Sequence, residues 1–340
     1  MQIDLHYYGT AVIAASAGFS PDEARMIAYA AQYVDDAQDD DVLVVNGARF
    51  PAVRTAHYGL TMFSARTEAN IHLPFHFLPP AQVGQGMGGY RVQANSPLAK
   101  RLLAQAAQEP KPSLRLCRLG VALHAYADTW SHQGFSAWLE KGNDVAHIEV
   151  REDGSWQPLG LAELGLELLP LMGHFQAGFL PDEPFRVWRY QRPRDEDPGR
   201  AITRDNPAIY LEAVDAMYAH LCQAGGGGGG SWPAVRAKIH GLLLEGGPDR
   251  KARCRLWIED FPELFAGEAD QYDPNRWRER ALRPAAAGSD EEVDPEFGRG
   301  NLTEANRWEW NEDPSNSPWV NFHQAALMQR GLAQSMVFFA

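Results

Sequence analysis

Cysteine is scarce: three in 340 residues (Cys117, Cys222 and Cys254), far apart, odd in number and without a CxxC pair. Neither a disulfide framework nor a thiolate zinc site is suggested by that usage. Long apolar runs are missing as well. No stretch approaches the roughly 18 residues that span a bilayer, so no membrane span is expected. Basic residues are in deficit, with 31 Lys and Arg against 44 Asp and Glu and a formal net charge of −13. An acidic surface repels a phosphate backbone, which argues against long nucleic acid as a partner. It does not exclude a small phosphate ester, because bound cations invert the local field. The N-terminal Met1-Gln-Ile-Asp-Leu-His6 has neither the basic nor the apolar region of a signal peptide. The expected location is the cytoplasm, with export by a route needing no signal peptide left open.

The remaining composition, 45% hydrophobic and 22% charged with 31 Gly and 23 Pro, is that of an ordinary globular chain at the upper end of what one core supports. Helical signals dominate. A short run, Gly9 to Ala17, breaks at Gly18, and Ser20-Pro21-Asp22-Glu23 then supplies a cap, a first-position proline and first-turn acids. The next helix carries a stripe of Ala24, Ile27, Ala28, Ala31 and Val34 and ends in Asp35-Asp36. Further helices are expected over Pro97–Gln108, Ser113–Glu140, Leu161–Phe179, Pro207–Ala224, Trp232–Leu244 and Pro318–Phe339. The one convincing strand pattern lies in 41–63, while Arg192–Asn206 reads as an exposed loop and 266–316 as mostly irregular. The expected fold class is therefore all-α, a multi-helix bundle with a small extended excursion near 41–63 and long loops. Residues 1–190 would form a helical core. Residues 191–340, interrupted by the glycine run 225–230, would pack on that core within one domain.

The strongest chemical signal is Leu123-His124-Ala-Tyr-Ala-Asp128-Thr-Trp-Ser-His132. At i, i+4 and i+8, His124, Asp128 and His132 share one helix face, each about 6 Å further along the axis. His124 and Asp128 can chelate one ion. His132 lies too far along to share it but can reach a second, with Asp128 as a bridge. Imidazole plus carboxylate without thiolate suits zinc or another first-row dication. The bland alternative is a polar stripe facing water, but Leu116, Leu119, Leu123, Tyr126 and Trp130 make this helix look central, and buried His and Asp need partners. Other candidate ligands are scattered. His6 opens the chain and Asp35 ends the second helix. His76 sits in Pro74-Phe-His-Phe-Leu-Pro79, where prolines favour an extended approach and argue against a helical pair with His72. His174 stands eight residues before Asp182.

In this order, His6, Tyr33-Val-Asp35, Phe75-His76-Phe77, His124-xxx-Asp128, His132 and His174 with a later carboxylate, the chain resembles the zinc-dependent phospholipase C / P1 nuclease superfamily over residues 1–182. His6-Tyr-Tyr-Gly-Thr, Tyr33-Val-Asp-Asp-Ala and Pro74-Phe-His-Phe-Leu-Pro are also similar to an uncharacterised bacterial branch of that type. The resemblance implies an all-α hydrolase of phosphoester bonds with two or three zinc ions. It places Asp35, His76, His124 and Asp128 on one ion, His132, His174 and a carboxylate on the second, and His6 with bridging Asp128 on the third. It makes Asp35 the catalytic carboxylate that orients or deprotonates water, with Asp36, His57 and Tyr58 as candidates for the surrounding shell. Three positions depart from the family pattern. There is no N-terminal Trp, so the third site uses Asp4 or stays vacant. Position 178 is Gly, so Asp182 serves only if a helix ends there. The His124-to-His132 gap is short.

Gly84-Gln-Gly86-Met-Gly-Gly89 matches a dinucleotide fingerprint but has no βαβ context, and a loop near the metal site is the better reading. There is no GxSxG, P-loop, HExxH or adjacent His-Asp doublet. Three functions remain: a metal-dependent phosphoesterase acting on a small phosphate ester or lipid head group; a non-catalytic metalloprotein with one closed structural zinc site; and a metal-dependent hydrolase or lyase acting on a non-phosphate bond.

Overall fold

The computed structural model describes residues 1–39, 42–56, 64–80, 90–159, 172–225, 227–228, 231–285 and 307–338. A π-helical segment, Asp4–Gly9, runs into α1 (Thr10–Ser16) and then α2 (Pro21–Asp36). Ser20 and Glu23 close a full capping box at the start of α2, satisfying two of the amides that a helix N-terminus leaves bare. Next come β1 (Leu43–Val45), β2 (Ala48–Phe50), the single turn α3 (Ala65–Thr67) and a second π-helical segment, Glu68–His76. Two long helices, α4 (Pro97–Ala107) and α5 (Pro112–Ser131), precede the strands β3 (Ala146–Glu152), β4 (Ser155–Pro158), β5 (Val187–Gln191) and β6 (Ala201–Asp205). The C-terminal part holds α6 (Asn206–Gly225), α7 (Trp232–Leu244), α8 (Arg250–Asp260), α9 (Pro262–Phe265), α10 (Arg276–Ala281), β7 (Leu282–Pro284), β8 (Arg307–Trp310) and α11 (Pro318–Phe338).

Helix α5 is the axis of the molecule, enclosed by α2, α4, α6 and α11, and every residue from Leu116 to Ser131 is buried. Its approach to α2 depends on Gly120. A Cβ there would overlap the Ile27 carbonyl oxygen and stand 2.6 Å from the Ala30 Cβ. This close contact brings the C-terminal end of α2, with Asp35, beside the His124 turn of α5.

The all-α expectation is overturned. The protein is helix-rich, at 56% helix and 12% strand, but it is mixed α and β, and its described residues form two four-stranded sheets ordered β2-β1-β8-β7 and β4-β3-β5-β6. The strands inside Arg192–Asn206 and 266–316 escape a sequence reading because they are short and rich in charge. In β5, buried Trp188 and Tyr190 flank Arg189, whose guanidinium forks to Glu149 of β3 at 2.6 and 3.0 Å. In β6, an edge strand, the charge itself is buried: Arg204 donates to the Trp130 and Ser131 carbonyls at the end of α5 at 2.6 and 3.0 Å. The β1–β8 pairing is parallel and joins segments from the two ends of the chain, which no local pattern announces.

Several boundaries also move. Helix α5 stops at Ser131 rather than near Glu140. The strand excursion is confined to β1 and β2 within the described residues, with 57–63 outside them. Of the helix expected over Leu161–Phe179, residues 161–171 lie outside the described set, and the described remainder forms a turn and one 3-10 turn, Phe175–Ala177. Pro74 does not hold His76 on an extended chain but lies inside the π-helical segment. The Phe77 N–H donates to the His72 carbonyl at 2.8 Å, a five-residue step that leaves the Pro74 ring unclashed where an α-helix would not.

Candidate metal centre

The eight candidate ligands converge into three trios of donor atoms: His6, His124 and Asp128; Asp35, His76 and His124; and His132, His174 and Asp182. Within each, the atoms lie within 4.8 Å of one another. Asp128 links them. Its Oδ1 is 3.2 Å from His6 Nε2. Its Oδ2 is 3.3 Å from His124 Nε2, 3.6 Å from His76 Nδ1 and 3.7 Å from His132 Nδ1. Asp35 Oδ1 stands 3.8 Å from His76 Nδ1 and 3.7 Å from His124 Nε2. Asp182 spans its trio, with Oδ1 3.1 Å from His132 Nε2 and Oδ2 3.3 Å from His174 Nε2. Ligands held at 2.0–2.1 Å in a tetrahedron are separated by roughly 3.3 Å, so these spacings fit a first-row cation.

The outer ring nitrogens show how the inner ones are prepared. His76 Nε2 lies 2.9 Å from the Thr55 carbonyl, His132 Nδ1 2.7 Å from the His76 carbonyl and His174 Nδ1 3.0 Å from the Gly178 carbonyl. A carbonyl only accepts, so each of these nitrogens carries a proton and the opposite ring nitrogen is turned towards the centre. Thr55 is itself latched to α2 by its hydroxyl to the Val34 carbonyl at 2.7 Å and its N–H to the Ala37 carbonyl at 3.1 Å. His6 stacks on His124 with ring centroids 3.9 Å apart, and Phe77 stacks on His132 at 4.5 Å.

Electrostatics point the same way. Burial, above all, pushes the His6 and His124 rings below their ordinary pKa and His174 down to about 4. Burial alone would raise Asp128 and Asp182, but His132, His174, the other rings and the N-terminal amine hold both well below the usual carboxylate range. Asp35 behaves differently: burial, with the Asp128 charge adding and His76 opposing, lifts it to about 7. Carboxylates held anionic among converging imidazole nitrogens can attract a cation. The Met1 ammonium sits in it, 2.5 Å from Asp128 Oδ1 and 3.1 Å from Asp182 Oδ1, supplying positive charge where the trios meet. Asp4 belongs to none of the trios, and its Oδ2 accepts from Arg253 at 2.7 Å.

Gly178 is the position where the expected second-ion carboxylate is missing, and the backbone shows why Asp182 can replace it. The 3-10 turn ends at Gly178 with φ +56, a conformation glycine adopts without strain, and the chain turns back to present Asp182. Asn206 then fixes that turn by donating to the Leu180 and Glu183 carbonyls at 2.7 and 2.8 Å, and the Tyr210 hydroxyl donates to the Pro181 carbonyl at 3.0 Å. Asp36 does not support a ligand histidine; it accepts from Gln32 at 3.0 Å and from Tyr272 at 2.7 Å. His57, Tyr58 and the Gly84–Gly89 segment lie outside the described residues. His72 is buried against Phe77 and belongs to none of the trios. The supporting residues Thr55, Arg204, Asn206, Tyr210 and Arg253 act through backbone carbonyls or across the fold, so no motif marks them.

The profile of a family of unknown function, DUF6765, matches residues 1–337, nearly the whole chain. The chain belongs to the DUF6765 family. No curated protein and no solved structure matches this DUF6765 chain. Among its described residues no helix is long and apolar enough to cross a membrane.

Proposed function

We propose that this DUF6765 protein is a metal-dependent hydrolase of phosphoester bonds, with two or three zinc or similar first-row ions held by His6, Asp35, His76, His124, Asp128, His132, His174 and Asp182. The observation that carries this reading is the Asp128 carboxylate set between donor groups, with Oδ1 3.2 Å from His6 Nε2 and Oδ2 3.3 Å from His124 Nε2, since adjacent ions bridged by one carboxylate suit an in-line displacement at phosphorus. Bound ions would lower the pKa of a coordinated water to about 7 and stabilise charge developing on phosphoryl oxygens.

The residues supply the rest. Asp35, with 15% of its side chain exposed and a carboxyl lifted to about 7, is placed to accept the proton of the attacking water and orient it. The outer carbonyls hold the His76, His132 and His174 rings in orientation, so little reorganisation would accompany ligation. Asp182 and His174, each with 15% side-chain exposure, mark the side from which a substrate enters. The acidic chain, at −13, favours a small phosphate ester or lipid head group over a polynucleotide.

The test is elemental analysis of protein purified without chelator or affinity metal, followed by assay of 4-nitrophenyl phosphate and bis(4-nitrophenyl) phosphate. Two to three equivalents of ion, with turnover of either ester abolished in Asp128→Ala, are expected. About one equivalent without turnover would replace this reading with a structural site, and no ion in folded protein would end it.

A further inference from the structure

Arg253 of α8 is far from the donors in sequence and is 5% exposed. Its Nε donates to Asp4 Oδ2 at 2.7 Å and its Nη2 to Gln2 Oε1 at 2.5 Å. The same guanidinium lies 5.1 Å from the centroid of the Phe185 ring, whose other neighbours include Gly246, where a Cβ would stand 3.1 Å from it. Gln2 and Asp4 belong to the segment that delivers His6, and Phe185 follows Asp182 by three residues. One buried cation therefore touches both walls of the centre: the N-terminal segment holding the His6 donor, and the turn holding the Asp182 donor.

We infer that Arg253 is a positioning residue that fixes His6 against Asp128 and keeps the Asp182 turn in register with it. This rests on the metal-centre reading above. Arginine suits the task because its planar fork satisfies Asp4 and Gln2 at once and its flat face packs on Phe185. A lysine would neutralise Asp4 but could not bridge to Gln2 or stack.

The experiment uses the full chain loaded with cobalt(II) in place of the native ion. Bound metal is counted by elemental analysis, the visible ligand-field spectrum is recorded, and apo and loaded forms are melted. In Arg253→Lys the ion at His6 is expected to bind roughly 10–100-fold more weakly, with loss of one spectral component while the ions at the other trios remain. Gln2→Ala, which strands no charge and so tests the bridge in a chain that folds, should show the same component weakened to a smaller degree. Unchanged ion count, affinity and spectrum in both variants, with only a lower apo melting temperature, would reduce Arg253 to a packing role and overturn the inference. Failure of the wild-type protein to bind cobalt at all would instead overturn the metal-centre reading itself.

Discussion

Two regions of this core bury histidine in opposite ways. Along α5, His6, His124 and His132 are almost fully enclosed, and each has a ring nitrogen within 3.3 Å of a carboxylate oxygen. Under the first turns of α11, His323 is equally enclosed, at 1% exposure, but its surroundings are Trp319, Phe322 and Phe50. Its Nδ1 accepts from the Val53 N–H at 3.0 Å. Its Nε2 has no hydrogen-bond partner among the described residues. The first arrangement gathers negative charge and bare nitrogens that a cation would complete; the second asks only that the ring stay neutral, and burial drives its pKa down to about 3. The extended segment 52–56 serves both, because Val53 fixes the lone ring and Thr55 fixes His76. In this core the buried histidines that form metal candidates are the ones that carboxylates face.

The comparison can be broken at several points, and the largest effect should come from Asp128→Asn. It removes the shared charge, so the ion count should fall to no more than the His132 trio holds. Chelator should lower the wild-type melting temperature far more than that of the variant; equal shifts would show that Asp128 holds no ion. Next is Gly120→Val, which forces α2 off α5 and moves Asp35 from His124 without altering a donor. Overpacking of this kind costs about 1–3 kcal/mol, measurable by urea unfolding of the apo protein, and the Asp35 trio should lose affinity while the His323 region is unmoved.

Asn206→Ala frees the Asp182 turn from two hydrogen bonds. Competition with a chelating dye should show roughly 10–100-fold weaker metal binding, confined to the His132 trio. The smallest effect belongs to His323→Phe. A ring whose folded pKa is depressed contributes stability that is full above the unfolded value of about 6.5 and is lost as pH falls toward the folded value. At pH 8 the variant should be less stable by about 1 kcal/mol, because the Val53 N–H loses its acceptor. On acidification from pH 6.5 toward 3, the wild type should lose this advantage within about one pH unit, and the two unfolding curves should meet and then cross. Parallel curves would mean that His323 does not titrate with folding.

Much of the centre was legible because its chemistry is written locally. His124, Asp128 and His132 declare themselves by helical spacing, and the capped helix that ends at Asp35 by its stripe and its Ser-Pro-Asp-Glu start. What the residues did not announce was long-range. The tie of Arg253 to Gln2 and Asp4 leaves no periodic trace in the sequence. Neither does the parallel pairing of Val44 and Val45 with Arg307 and Trp308. The all-α reading failed for a related reason. Strands of three to seven residues, such as Leu282–Pro284 and Ala146–Glu152, gain stability from cross-strand partners rather than from their own propensity. Pro74 misled in the other direction, since the rule it obeys forbids α-helix but not the wider π turn it occupies.

The parallel pairing of β1 with β8 carries a consequence for biogenesis. The β1 strand follows the helix that bears Asp35, yet its partner emerges from the ribosome only after nearly all the rest of the chain, and α11, which closes over His76 by the Gln329 amide donating to the Pro74 carbonyl at 3.2 Å, emerges later still. Contacts between distant segments are slow to form and complete last. The nascent protein therefore displays its histidines and aspartates before it can shape them. On the proposed function, metal loading would then follow synthesis of α11 and be sensitive to its removal.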